Sequence, residues 1–287
     1  MRREDFLRNV LVELIRKSET TLPGDIVTAL KESLKKETNE IARLQLKTIL
    51  DNVKLAREES LPVCQDTGTF IFFIDVGVDF PYMHMLKSAI REAVEISTKK
   101  IPLRPNCVDP FTGENTGNTG ERIPWIEWNL VEGSDCRITV LPKGAGSENC
   151  STLRMFNPSD GVDEIENFVV NHVIECGGKP CPPVVLGIGI GGGADIAMKL
   201  AKRSLLRKIG ERNRNKVVAD LEKKILKRVN ETGIGPMGLG GDVTALDVHI
   251  EYASRHPASF PVAISVQCWA NRRACVVISE DGDANWI

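Results

Sequence analysis

Three of the eight cysteines in this 287-residue chain stand beside residues suited to chemistry. Cys64 opens the run Cys64-Gln65-Asp66-Thr67-Gly68, which sets a soft metal ligand, an amide, a carboxylate and a turn-forming glycine side by side. Cys181 precedes Pro182-Pro183, and Cys268 stands between Gln267 and Trp269. The other five are Cys107, Cys136, Cys150, Cys176 and Cys275. The spacing is not that of a zinc site, since the chain has neither a C-x-x-C pair nor a matching His-x-x-x-His. Three thiolates from distant parts of a chain can hold an iron–sulfur cluster that leaves one iron without a protein ligand. Such an iron can act as a Lewis acid on a substrate hydroxyl. The plainer reading, which fits most of the eight, is a buried structural thiol.

A second set of residues suits an anion. It comprises Arg104, His256 and Lys143-Gly144-Ala145-Gly146-Ser147-Glu148-Asn149, where small residues after a strand let backbone N–H groups approach a negative charge. The same run also reads as a plain tight turn. Gly187-Ile188-Gly189-Ile190-Gly191-Gly192 matches the G-x-G-x-x-G dinucleotide pattern. A nucleotide site also needs an acidic residue about 20 positions on, at the end of a second strand. That region is helical and basic here, Lys202-Arg203 to Arg207-Lys208, so close backbone packing is the preferred reading.

The elements that must position these groups can be read from pattern. Residues 4 to 59 carry three apolar stripes at helical spacing: Phe6 to Ile15, Ile26 to Leu34, and Ile41 to Val53. Leu22-Pro23-Gly24-Asp25 interrupts them, with Asp25 as a candidate cap, and Leu61-Pro62 ends the block. Strands are expected at 70–76, 125–131, 136–141, 184–191, 243–252, 261–266 and 274–279, and helices at 82–99, 163–176, 194–208 and 213–230. Residues 104 to 120 and 233 to 241 read as glycine-rich loops, the first long enough to be functional. The expected fold is mixed α/β, with a helical N-terminal region (1–60) followed by a mixed strand–helix region (61–287), together one compact domain.

Composition narrows the function classes. The chain is 42% hydrophobic and 26% charged, with a net charge of −2, so no bulk attraction to nucleic acid or anionic lipid is expected. No apolar run reaches the length of a membrane span and no signal peptide is legible, which predicts a cytoplasmic protein with reduced thiols.

Taken together, these motifs resemble the α subunit of the two-subunit class I, iron–sulfur fumarase and L-tartrate dehydratase family. The resemblance covers essentially the whole chain. It rests on Cys64 to Gly68, the loop 104–120, Lys143 to Asn149, Cys181-Pro182-Pro183, Gly238-Leu239-Gly240-Gly241 and His256 to Cys268, in the family's order. It implies a 4Fe–4S cluster on Cys64, Cys181 and Cys268 with one open iron, the other five cysteines being non-ligands. It implies reversible hydration of a C4 dicarboxylate, fumarate to L-malate in the tricarboxylic acid cycle, with L-tartrate as the near alternative. Gln65, Asp66, Arg104, Gly146 and His256 match positions that line the family's substrate site. Arg104 is expected to bind a substrate carboxylate, His256 to hold the other end or orient the hydroxyl, and Asp66 to take part in proton handling.

Single-chain members carry a further domain with additional basic residues, and this sequence stops at Ile287 without one. A separate β subunit, in an α2β2 assembly, is therefore expected. Two other classes remain as rivals on residues alone: a non-catalytic iron–sulfur sensor, and a nucleotide-dependent oxidoreductase resting on the glycine run.

Overall fold

Proline and glycine punctuate the first three helices where the apolar stripes break. The computed structural model describes residues 3–287; Met1 and Arg2, the start of the expected helical block, lie outside the described residues. Helices α1 (Arg3–Thr20), α2 (Gly24–Lys36) and α3 (Glu40–Glu59) follow the predicted stripes. Asn39 caps α3, its side-chain oxygen accepting from the N–H groups of Ile41 and Ala42. Asp25 lies within α2 rather than before it, and its carboxylate accepts from the N–H of Ile209 at 2.9 Å.

Next come β1 (Thr69–Gly77), α4 (Met83–Lys100), the short hairpin β2 (Cys107–Val108) and β3 (Asn115–Gly117), β4 (Trp125–Val131) and β5 (Cys136–Lys143). They are followed by α5 (Ala145–Glu148), β6 (Thr152–Phe156), α6 (Gly161–Cys176), β7 (Val184–Gly192), α7 (Ala194–Ser204) and α8 (Lys216–Asn230). β8 (Ala245–Arg255), β9 (Phe260–Gln267), β10 (Ala274–Ile278) and β11 (Ala284–Trp286) complete the order. The fold is mixed α/β, as the sequence predicts. Among the described residues, no helix is long and apolar enough to cross a membrane.

The chain divides into two compact units. The first takes Met1–Pro23, Asn52–Gly144 and Arg272–Ile287. Its sheet has the order β11-β10-β5-β1-β4, with β1 parallel to β4 and antiparallel to β5. Phe70, Phe72, Ile74 and Val76 alternate along β1 into a core with Leu7, Leu11, Leu14 and Ile15 of α1 and Leu86, Ile90 and Val94 of α4. Ile71 and Phe73, which point the other way, are buried as well. Burial on both faces is why β1 reads as a continuous apolar run rather than an alternating one.

The second unit takes Gly24–Asp51 and Ala145–Asn271. Its sheet has the order β6-β9-β7-β8, with β7 parallel to β8 and antiparallel to β9. Leu186 and Ile188 of the central strand join Ile165, Val169 and Val173 of α6 and Ile225 and Val229 of α8 in one core. On the opposite face α7 lies against the glycines of β7. A Cβ on Gly187 or Gly189 would overlap the carbonyl oxygens of Ala201 and Ala197. The G-x-G-x-x-G run therefore serves close helix–strand packing, as preferred above.

Candidate active site

In the first unit, Cys64-Gln65-Asp66 forms the turn between the helical block and β1. Cys64 and Asp66 are half-buried and Gln65 is exposed. One oxygen of the Asp66 carboxylate accepts from the N–H of Gly68 at 2.9 Å, an Asx turn that fixes the side chain. Gly68 has φ +70°, and a Cβ there would lie 2.6–2.8 Å from three backbone atoms of Lys143. The turn and the end of β5 thus touch backbone to backbone. One residue on, a Cβ on Gly144 would sit 3.0 Å from the second Asp66 oxygen. The sequence showed these two motifs as separate; β1–β5 pairing places them side by side.

Thr67 ties the 104–120 loop to the same turn. Its hydroxyl accepts from the N–H of Arg104 at 3.2 Å and from the amide of Asn106 at 3.1 Å. Asn118 Nδ2 donates to the Arg104 carbonyl at 3.0 Å. The Arg104 backbone is therefore fixed, while its exposed side chain makes no ion pair or hydrogen bond among the described residues. A forked guanidinium held this way on a rigid backbone suits a carboxylate.

In the second unit, the carbonyl of Cys181 accepts from the N–H of Trp269 at 3.2 Å, so the backbones at Cys181 and Cys268 are brought together. Cys181 adopts φ +54°, a left-handed conformation unfavourable for a non-glycine residue by roughly 1–2 kcal/mol. The glycine connector supports it. Met237 N–H donates to the Pro182 carbonyl at 2.8 Å, and a Cβ on Gly238 would lie 2.5 Å from Gly178 Cα. Glu37 organises the connector's far end, its carboxylate accepting from the N–H groups of Asp242 and Val243.

Gly146 is exposed in α5, where its carbonyl accepts from the Cys150 thiol at 3.5 Å. His256 is exposed in the turn between β8 and β9. Its Nδ1 accepts from the N–H of Ala258 at 3.1 Å, which leaves the neutral ring's proton on Nε2 as a donor.

The eight cysteines are all reduced thiols. Cys64, Cys181, Cys268 and Cys275 are half-buried, the other four buried. Burial pushes the Cys136 thiol up to about 12; at Cys176 burial and neighbouring Cys150 do the same. Those two stay protonated at neutral pH and are poor metal ligands. Gln267 and Asn271, on either side of Cys268, are fully buried, and none of their four amide atoms has a hydrogen-bond partner among the described residues. Each such atom is unfavourable by about 1–3 kcal/mol unless a further group meets it. Thiols of intermediate burial beside the two orphaned amide nitrogens, Gln267 Nε2 and Asn271 Nδ2, fit a sulfur-rich cofactor that offers hydrogen-bond acceptors; the two amide oxygens need a donor from elsewhere. Among the described residues no three His, Cys, Asp or Glu side chains are gathered as they would be around a single metal ion.

Residues 8–277 match the family model described as Fumarate hydratase (Fumerase). The chain belongs to the fumarate hydratase (Fumerase) family. It is accordingly a hydro-lyase. A Methanocaldococcus jannaschii protein, provisionally named L(+)-tartrate dehydratase subunit alpha, is 51% identical over 280 residues, 96% of this chain and 98% of that protein. The L(+)-tartrate dehydratase subunit alpha of Escherichia coli O157:H7 is 37% identical over 277 residues, 96% of this chain and 91% of that protein. The counterpart from Escherichia coli K12 is 36% identical over the same length. This fumarate hydratase family chain thus aligns with whole α subunits rather than with fragments of them.

The residues that pattern reading missed are the supports. Asn106 and Asn118 hold the Arg104 loop, Glu37 holds the glycine connector, and Glu19 and Arg272 approach Cys64 to Asp66 from distant parts of the sequence. Asn106 and Asn118 sit in a loop recognisable by composition. Nothing local marks the other three.

Proposed function

We propose that this chain is the cluster-bearing α subunit of a cytoplasmic hydro-lyase that adds or removes water on a C4 dicarboxylate, working with a separate β subunit in an α2β2 assembly. The observation that carries the reading is the convergence of the Cys64-Gln65-Asp66 turn, the Lys143-Gly144 turn and the Arg104 loop in one unit. That convergence ties the backbone that carries Arg104 to the turn that carries Cys64, Gln65 and Asp66, which supports a shared site for a carboxylate, an amide and a forked cation. The α-subunit names of the relatives support the partner.

Cys64, Cys181 and Cys268 would hold a 4Fe–4S cluster. When bound, it supplies an open iron that makes a C2 hydroxyl a better leaving group. The chain's own residues supply the rest. Arg104 grips one carboxylate of the substrate, and Gln65 and the backbone at Gly146 donate hydrogen bonds to it. His256 offers its Nε2 proton to the other end or to the hydroxyl. Asp66, steadied by the Gly68 N–H, receives or returns the proton at carbon.

The fumarate to L-malate pair, and with it a place in the tricarboxylic acid cycle, is one substrate assignment. The relatives' names support L(+)-tartrate equally well. Anaerobic reconstitution with iron and sulfide, with and without a β subunit, followed by assays on malate and tartrate, tests the reading. Turnover is expected only with the partner present, and each of Cys64→Ser, Cys181→Ser and Cys268→Ser should lower iron content. Full turnover by this chain alone would overturn the two-subunit reading. Full clusters in all three cysteine variants would overturn the ligand assignment.

A further inference from the structure

Glu19 sits near the end of α1, and its side chain is fully buried. Its carboxylate accepts from Arg272 Nη1 at 2.7 Å, and Arg272 itself is only 1% exposed. The other arm of that guanidinium, Nη2, donates to the main-chain carbonyl of Asp66 at 2.8 Å. The main-chain carbonyl of Glu19 meanwhile accepts from the N–H of Val63, also at 2.8 Å. Cys64, Gln65 and Asp66 are therefore gripped from both ends by one residue, directly at Val63 and through Arg272 at Asp66. Asn52 adds a third tie, its amide donating to the Val63 carbonyl at 2.8 Å. All of these residues belong to the first unit.

Stability alone is a weak reason for this arrangement. A fully buried ion pair is often no better than apolar side chains of similar volume, because both charges lose their hydration. Here the second Glu19 oxygen has no hydrogen-bond partner among the described residues, which raises that loss. The arrangement does supply geometry. A planar guanidinium fixes two acceptors at a set separation and angle, which a lysine ammonium on a flexible stem does not.

We propose that Glu19 and Arg272 are positioning residues, a buried clamp that holds Cys64, Gln65 and Asp66 in the one conformation the hydro-lyase reaction uses. The proposal rests on the function proposed above. The clamp touches neither substrate nor cluster and acts through the backbone on either side of the motif.

The test compares wild type with Arg272→Lys and with the double variant Glu19→Leu/Arg272→Met. Three readouts are taken: Tm, hydrogen exchange of residues 61–68 in the cluster-free chain, and kcat and KM of the reconstituted complex with its β subunit. The double variant should keep a Tm near wild type, since apolar replacement removes both charges together. Its 61–68 segment should nevertheless exchange at least about tenfold faster, and kcat should fall roughly 10- to 100-fold with a smaller change in KM, the scale expected when a catalytic group is misplaced. Arg272→Lys, which keeps the charge and loses the fork, should lie between, and it carries the test if the double variant does not fold.

Variants that match wild type in exchange and in kcat would overturn the clamp. Recovery of wild-type kcat together with Tm in the double variant would do the same, leaving the pair a merely structural one. An inactive wild-type complex, with faster exchange in the variants, would instead sink the substrate and partner assignment proposed above and leave the clamp's hold on residues 61–68 supported.

Discussion

Substitution of Gly144 by alanine tests the contact between the two turns that meet beside Asp66. The added methyl would stand 3.0 Å from one carboxylate oxygen of Asp66 and 3.4 Å from its Cγ, where ordinary contact begins near 3.4 Å. Asp66 cannot simply swing away, because its other oxygen is bonded to the Gly68 N–H at 2.9 Å. The carboxylate must therefore retreat by about 0.4 Å, the difference between 3.4 and 3.0 Å. A displacement of 1 Å at a reacting group is worth about 100-fold in rate, so 0.4 Å predicts a loss of roughly five- to tenfold. That corresponds to about 1–1.4 kcal/mol of transition-state stabilisation.

Stability should move little. Gly144 has no positive φ, so alanine brings no backbone strain, and its smaller unfolded-state entropy offsets the crowding by about 0.4–1 kcal/mol. The assay is steady-state turnover of the reconstituted complex on malate and on tartrate, beside a thermal melt of the α chain. A fall in kcat/KM with an unchanged Tm is expected. Unchanged kcat/KM at unchanged Tm would remove Asp66 from the reacting atoms, and a collapse in Tm would show the crowding to be structural.

Three other outcomes follow from the same geometry. Gly68→Ala should destabilise the first unit by about 3 kcal/mol or more, lowering Tm by roughly 6–12 °C, because a left-handed residue would be driven into the Lys143 backbone; a wild-type melt would refute the contact. Burial of Glu19, against the pull of Arg272, raises its pKa from 4.5 to about 7. The folded state then holds that proton more tightly than the unfolded one, so the stability it contributes is full below pH 4.5 and is lost as pH rises through about 7. The loss is on the order of 3 kcal/mol, and urea midpoints at pH 5 and pH 8 should differ more in wild type than in Glu19→Gln; equal differences would count against it. Cys136→Ala should leave iron and sulfide content unchanged, since that thiol remains protonated, and a lost cluster would reopen the ligand assignment.

The elements legible in the sequence were those with a strong local signal. β1, β4, β5, β7 and β9 carry apolar or β-branched runs, and every long helix has its stripe. β6, Thr152-Leu153-Arg154-Met155-Phe156, escaped notice because it is a half-exposed edge strand with no alternation to read. The β2–β3 hairpin is hidden in a run of turn residues, where Asp109 folds the tip by accepting from the N–H groups of Phe111 and Thr112. The motifs around Cys64, Lys143 and Arg104 were visible as unusual chemistry. Their meeting was not, because it depends on which strand β1 pairs with. The contact of Glu19 with Arg272 spans 253 positions, and no periodicity or spacing rule reaches that far.

The sheet order β11-β10-β5-β1-β4 has a consequence for how the protein is made. Leu11 of α1 and Val276 of β10 share a core, yet 265 positions separate them. At about 5–20 residues per second a ribosome needs ~13–53 s to travel that distance. For the part of that interval between Lys143 and Ala274, 131 positions or ~7–26 s at the same rate, β5 lacks one of its two neighbours, and Phe70 and Phe72 await a finished core. The stretch from Ala145 to Asn271 emerges in the meantime and has all the strands of its own sheet. The unit begun first is thus completed last, and nascent chains halted before Ala274 would carry an open β5 edge ready to pair with the wrong neighbour.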